Sequence, residues 1–188
     1  MKIGVLAIQG DFAEHIVMLK RLGVQTSEVS LPAHLDGLDG LIMPGGESTT
    51  IGKLAVDFGL LEPLRLFGKE HAIWGTCAGA ILLSKDASRR QPLLGIMDIT
   101  VERNAFGRQV DSFEADLAIP ALGAGGPYHA VFIRAPIIAS VQADAQILSS
   151  LPDGRIVAAQ QGKMLATSFH PELTRDARFH EFFLSLAC

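Results

Sequence analysis

Residues 72–84 read AIWGTCAGAILLS. Ala72–Trp74 is a short apolar run of strand type, and Ala78–Ser84 is an apolar run of helical type. Between them, Gly75-Thr76-Cys77-Ala78-Gly79 has to turn a strand into a helix within a few residues. A Gly-x-nucleophile-x-Gly corner does this for a mechanical reason. The nucleophile sits in a strained backbone conformation at the turn, and residues without side chains on either side let neighbouring chain pass closely. Cys77 would then stand at a helix N-terminus, where the dipole and free N–H groups favour a thiolate. The Ala78 N–H would face the place where an oxyanion develops. An inert buried cysteine with packing glycines is the alternative, and the strand–turn–helix context favours the nucleophile.

The corner belongs to a longer alternation. Upstream, Lys2–Ile8 reads as a buried strand and Asp11–Leu22 as a helix with Phe12, Ile16, Leu19 and Leu22 on one stripe, stopped by Gly23. Val24–Ser30 reads as a weaker strand, Gly40–Met43 as a short apolar one, and Ser48–Phe58 and Leu61–Lys69 as helices. Strand and helix in alternation predict an α/β fold, a parallel sheet with helices on both faces. After Gln91 the texture changes. Ile96–Glu102, Phe113–Leu117, Tyr128–Arg134, Ile137–Gln142, Arg155–Gln160 and Met164–Phe169 read as strands with few helices between them, which predicts an antiparallel or mixed region. Thr174–Leu186 reads as a closing helix, with Thr174 as N-cap and Phe179, Phe182, Phe183 and Leu186 on its apolar face.

Composition narrows the function classes. The chain has 188 residues, enough for one ordinary domain, so 1–188 is expected to be a single domain. Hydrophobic residues make up 48% and charged residues 19%, which excludes disorder. Sixteen basic against twenty acidic residues give a net charge of −4, so there is no basic excess of the kind nucleic-acid binders carry. The longest stretch without a charged side chain, Leu117–Ile133, contains two Pro, three Gly and His129 and is no membrane span. MKIGVLAIQGDF turns polar too soon for a signal peptide. Two cysteines form no disulfide framework, and a cytoplasmic protein with free thiols is expected.

Two further clusters carry chemistry. Ser168-Phe169-His170-Pro171-Glu172 follows a strand, and in an extended chain residues two apart project to the same side. Glu172 can therefore accept a hydrogen bond from His170 and fix its tautomer, giving a general base for Cys77. His15, His34, His71, His129 and His180 lack such a partner pattern and read as surface or satisfied polar residues. Met43-Pro44-Gly45-Gly46-Glu47-Ser48-Thr49-Thr50 also lies between strand and helix, where open α/β sheets bind ligands. A phosphate loop is the rival reading, but Glu47 would repel phosphate and no Walker lysine is present. Arg103 and Arg134 each end an apolar strand, as ligand contacts or as partners in internal salt bridges.

Gly-Thr-Cys-Ala-Gly with a distant His-Pro-Glu resembles the class I, triad-type glutamine amidotransferases. Within them the chain closely resembles the glutaminase subunits of pyridoxal 5′-phosphate synthases. The likeness covers essentially the whole chain, including Pro44–Thr50, Val101–Glu114, Phe132–Pro136 and Ser168–Leu173, and the second of these stretches is specific to those subunits. Departures are small: Trp74 where Phe is common and Ala80 where Leu is common. The resemblance implies a flavodoxin-like three-layer fold with a central mixed, mostly parallel sheet. It implies Cys77 as nucleophile, His170 as base and Glu172 as its orienter. Gly46, Glu47, Ser48, Arg103, Ile133 and Arg134 would bind L-glutamine, and Gly46 and Ala78 would form the oxyanion hole. It implies no metal and no cofactor. The implied partner is a (β/α)8-barrel synthase in a large hetero-oligomer, which takes the ammonia and builds pyridoxal phosphate from ribose 5-phosphate and glyceraldehyde 3-phosphate. A γ-glutamyl hydrolase or cysteine peptidase on the same scaffold, and a non-catalytic relative, are the alternatives. The first branch often places a His directly after the Cys, where this chain has Ala78, and the second would have lost part of the triad.

Overall fold

The computed structural model describes residues 1–88, 90–103 and 112–188. Residues 104–111 of the Val101–Glu114 stretch therefore lie outside the described residues. The elements in chain order are β1 (Lys2–Leu6), α1 (Phe12–Arg21), β2 (Gln25–Val29), β3 (Gly40–Met43), α2 (Ser48–Asp57), α3 (Leu61–Glu70), β4 (Ala72–Thr76), α4 (Ala78–Leu83) and β5 (Ser84–Ala87). There follow β6 (Met97–Glu102), β7 (Ser112–Leu117), β8 (Tyr128–Ile133), β9 (Ile137–Val141), β10 (Gln146–Ser150), β11 (Ile156–Gln161), β12 (Met164–Thr167) and α5 (Arg178–Ala187).

Ten strands form one sheet in the order β2-β1-β3-β4-β12-β11-β9-β6-β5, with β10 paired to β11. From β2 to β12 every pairing is parallel, which is the flavodoxin-like order. Beyond β12 the sheet becomes mixed: β12/β11, β11/β9 and β9/β6 are antiparallel, and β6/β5 is parallel. The expected change of texture after Gln91 is this change of pairing. β7 and β8 form a separate antiparallel hairpin.

Alternate strand residues feed two cores, one on each face. Leu41, Met43 and Ile73 pack with Ile51, Leu64 and Leu83 of α2, α3 and α4. Ile3, Val5, Ile42 and Trp74 pack with Leu19, Phe179 and Phe183 of α1 and α5, and with Tyr128 and Phe132 of the hairpin. The strands β1, β3 and β4 are buried on both sides, so they read as unbroken apolar runs rather than alternating ones.

Two expectations need correction, and the strand β10 was not expected. The helix after Cys77 stops at Leu83, and Ser84–Ala87 continues as β5. Its Ser84 hydroxyl donates to the Ile81 carbonyl, closing the last turn. The strand β10 carries no clear pattern, because it lies outside the main strand path and Ile147 on it is half exposed. The closing helix starts at Arg178 and not at Thr174, whose hydroxyl instead donates to Pro171 after the 3-10 turn Pro171–Leu173. Proline at the start of that turn sets the chain direction before the helix begins.

Candidate active site

The strand order reverses between β1 and β3, which opens a crevice at their carboxyl ends. Loops from six strands meet there around a cavity of about 650 Å³, lined among others by Gly46, Cys77, Arg103, Arg134 and His170. That volume suits a small metabolite.

Cys77 stands at the head of α4 with φ 48° and ψ −102°, a conformation that non-glycine residues rarely adopt. Its backbone N–H donates to Thr167 on β12 (2.8 Å), which pins the corner to the sheet. The flanking glycines are required by close approach. A Cβ at Gly75 would lie 2.4 Å from the Gly79 backbone, and one at Gly79 would lie 2.0 Å from the Met43 carbonyl oxygen. The side chain is 7% exposed and reaches the cavity.

His170 and Glu172 are both buried, and His170 Nδ1 lies 2.7 Å from Glu172 Oε1. The contact is the one anticipated, although Glu172 sits in a 3-10 turn rather than in extended chain. Burial opposes charge on His170, but hydrogen bonding to Cys77 and then to Glu172 outweighs it and raises the ring above the ordinary imidazole range. For Glu172, burial works toward neutrality. His15, and then His170, overcome it and hold the carboxyl well below the usual carboxylate range.

Sequence reasoning missed His15. It lies on the buried stripe of α1 with Met18 and Leu19, and its Nε2 is 3.3 Å from Glu172 Oε2. Its Nδ1 is 3.0 Å from His180 Nε2 on α5. The available signal was spacing: His15 precedes Met18 and Leu19 by three and four residues, on the face that a helix turns inward. His129 also has carboxylate partners, Asp116 and Glu114 across the hairpin, but that cluster is exposed. His34 is exposed and hydrogen-bonded to Ser30, as a surface residue is. His71 stacks on Phe67, but its Nδ1 is buried without a hydrogen-bond partner among the described residues, so it is not the satisfied residue expected.

The Gly45-Gly46 loop packs against the turn after β1. The Gly45 carbonyl accepts from the Asp11 N–H (3.1 Å), and the Glu47 N–H donates to Gln9 Oε1 (2.8 Å). Gly46 has φ 153°, and a Cβ there would meet Gln9 Oε1 at 2.6 Å. Glu47 caps α2 by accepting from the Thr50 N–H (2.7 Å), and its other oxygen pairs with Arg103 Nη2 (2.9 Å). Although partial burial opposes its charge, hydrogen bonds from Thr49, Thr50 and Arg103 pull its carboxyl down to about 2. Gln91, also unforeseen, joins the group by accepting from Arg103 Nη1 and from the buried Ser48 hydroxyl. Glu47 and Arg103, both expected to contact a ligand, thus neutralise one another in this structure. Ile133 and Arg134 line the far side, both exposed, and Arg134 has no ion-pair partner among the described residues.

Asp11, His170 and Glu172 bring ligand atoms within 4.8 Å of one another. Two of the three are bonded together as base and orienter, and Asp11 is half exposed.

The chain matches the model of the SNO glutamine amidotransferase family over residues 5–187. It is 61% identical over 191 residues to the pyridoxal 5′-phosphate synthase subunit PdxT of Herpetosiphon aurantiacus, covering 99% of this chain and 100% of that one. The subunit of the same name from Moorella thermoacetica is 55% identical over 188 residues, with 99% of each chain covered. A crystal structure of a glutamine amidotransferase superposes with a TM-score of 0.93 at 51% identity, covering 98% of both chains. The chain belongs to the SNO glutamine amidotransferase family.

Proposed function

We propose that this chain hydrolyses L-glutamine at Cys77, with His170 as base and Glu172 as its orienter. It is the glutaminase subunit of pyridoxal 5′-phosphate synthase and supplies the ammonia for vitamin B6 synthesis. One observation carries the assignment of the site: a cysteine held in a strained strand-to-helix corner opens into the cavity that also holds a buried, carboxylate-bonded histidine.

The chemistry follows from these positions. His170 takes the Cys77 proton, and sulfur attacks the side-chain amide carbon of glutamine. Negative charge moves to the amide oxygen, which the N–H groups of Ala78 and Gly46 receive. The tetrahedral intermediate collapses as His170 gives its proton to the nitrogen, and ammonia leaves. Water, deprotonated by His170, then attacks the thioester and releases glutamate. Arg103 and Arg134 are the cations available to the α-carboxylate, and Glu47 is the anion available to the α-ammonium. Ser48 and Ile133 complete the glutamine site.

The partner is a synthase subunit, read as a (β/α)8 barrel in a large cytoplasmic hetero-oligomer. No described helix is long and apolar enough to cross a membrane. The deciding assay is ammonia release from glutamine with and without that synthase. No release in either case refutes the reading.

Arg103→Ala and Glu47→Ala should each lower kcat/KM by about 10- to 100-fold, mostly through KM, because a hydrogen bond to a charged group is of that size. Each substitution also frees the other partner of the pair, so the double variant should lose less than the product of the single losses. Wild-type kinetics in both would leave Arg103–Glu47 as an internal salt bridge only.

The Gly45-Gly46 peptide is also the natural point of control. In this structure the Gly45 carbonyl is held by the Asp11 N–H, and a rotation of the peptide breaks that bond. The reading is that the synthase sets this peptide so that the Gly46 N–H faces the oxyanion. Loss of one such donor costs about 10²–10³ in kcat. The free chain should be slower by that order, and Gly46→Val should lose most of its activation while still binding the synthase. Full activity of the free chain, or normal activation of the variant, excludes the loop as the switch.

A further inference from the structure

Beneath the proposed triad lies a line of buried polar side chains that this mechanism does not use. Glu172 offers Oε1 to His170, while its Oε2 is buried with no hydrogen-bond partner of good geometry among the described residues. The group nearest in charge and distance is His15 Nε2 at 3.3 Å, and the side chains of both residues are fully buried. The Thr76 hydroxyl lies on the same side of the ring, 3.4 Å from Nε2. The other nitrogen, Nδ1, is 3.0 Å from His180 Nε2, and His180 is fully buried too.

We infer that His15 is a positioning residue of the triad, holding the second oxygen of Glu172, and that His180 fixes the tautomer of His15. This rests on the reading of Cys77, His170 and Glu172 given above. The assignment follows from counting donors and acceptors. A buried carboxylate needs donors at both oxygens, so His15 presents Nε2–H to Oε2. Its Nδ1 is then an acceptor and needs a donor, which His180 supplies from Nε2. His180 carries a single proton there, leaving Nδ1 as a bare lone pair, and that atom is indeed buried without a partner. An unpaired lone pair costs less than an unpaired N–H. Burial lowers His180 to about 3, so it stays neutral. Trp74 meets both rings edge-on, at 5.7 Å for His15 and 5.0 Å for His180. The chain of N–H groups thus runs from His180 to His15 to Glu172, with His170 donating from the opposite side.

The consequence is that the Glu172 carboxylate has a fixed plane and a fixed charge before substrate arrives. Without His15, Oε2 is left unpaired in the core and Glu172 gains a reason to take up a proton or to rotate away from His170.

The test uses the full chain with saturating synthase, and counts active sites by stoichiometric labelling with a chloroketone glutamine analogue. His15→Phe should lower kcat by about 10- to 100-fold, the size of one charge-assisted hydrogen bond, with KM within about twofold of wild type. His15→Gln places an amide donor near the Nε2 position and should recover most of that loss. With 15N-labelled histidine, wild-type His15 should be the Nε2–H tautomer. The Nδ1 proton of His170 should resonate at low field and shift or broaden in His15→Phe. If that variant does not fold, His180→Phe keeps a ring in place and removes the donor to His15, so a mixed His15 tautomer and a smaller loss of kcat are expected. The inference is overturned by wild-type kcat in His15→Phe, by a Gln variant no better than Phe, by an Nδ1–H tautomer in wild type, or by an unchanged His15 tautomer in His180→Phe. A wild-type chain that releases no ammonia would overturn the glutaminase reading instead, a different result from any of these.

Discussion

Cys77→Ala is expected to abolish glutamine hydrolysis, a loss on the order of 10⁴–10⁶ in kcat as for other hydrolases stripped of their nucleophile. The fold should survive. The backbone strain at residue 77 persists with alanine, and the corner is held by the Cys77 N–H to Thr167 bond and by Gly75 and Gly79, none of which the substitution touches. The melting temperature should therefore move by no more than a few degrees, about what one lost buried sulfur costs. A diazo or chloroketone glutamine analogue separates recognition from mere reactivity, because the chain carries an internal control. Cys188 is exposed at the C-terminus while Cys77 is 7% exposed. Labelling governed by access alone would mark Cys188, and labelling governed by a glutamine site should mark Cys77. Modification of Cys188, or turnover surviving in Cys77→Ala, would sink the mechanism. Intact-mass and peptide mapping after a single equivalent of reagent decide between them.

The parts of the molecule that were legible in the sequence are those where one local rule decides the outcome. Gly40–Met43 and the run from Ala72 into the Cys77 corner are strands whose residues are buried on both faces, so their apolar character is unbroken. Gly75 and Gly79 declare the corner because nothing with a Cβ fits there. The sequence also placed Glu172 beside His170, since two residues of separation leave little choice. What stayed hidden depends on distance along the chain. His15 and His180 are 165 residues apart and meet only because α1 and α5 cover the same face of the sheet. Gln9 and Gln91 look like ordinary polar loop residues, and their use emerges when the loop after β1 meets the Glu47 N–H and the segment after β5 meets Arg103. The Arg103–Glu47 pair shows the limit in another way. Pattern alone left a ligand contact and a salt bridge open, and the structure contains the bridge within the lining of the cavity itself.

His170→Asn should be nearly as damaging as loss of the cysteine, again on the order of 10⁴–10⁶, because one ring serves both proton transfers. Asparagine can occupy the space and accept or donate hydrogen bonds, yet it cannot carry a proton at neutral pH. Cys77 then has no acceptor for its proton, and the leaving nitrogen has no donor. Residues that act in one step do not lose activity independently, so the Cys77→Ala, His170→Asn double variant should be little worse than either single one. Losses that multiply would show that the two side chains act in separate steps. Glu172→Gln is the sharper probe of how the base is held. Glutamine has one acceptor oxygen, whereas the site presents two imidazole nitrogens, His170 Nδ1 at 2.7 Å and His15 Nε2 at 3.3 Å. If the oxygen faces His170, the amide NH₂ confronts His15; if it faces His15, the NH₂ drives His170 into the tautomer that cannot accept from Cys77. Either way some activity remains, since His170 can still visit the productive tautomer, and the loss should be smaller than that of His170→Asn. The measurement is kcat for ammonia release by the three single variants and the double variant, each with saturating synthase. A Glu172→Gln enzyme as slow as His170→Asn would mean that the carboxylate's charge, and not only its geometry, is required at the step where the imidazolium forms.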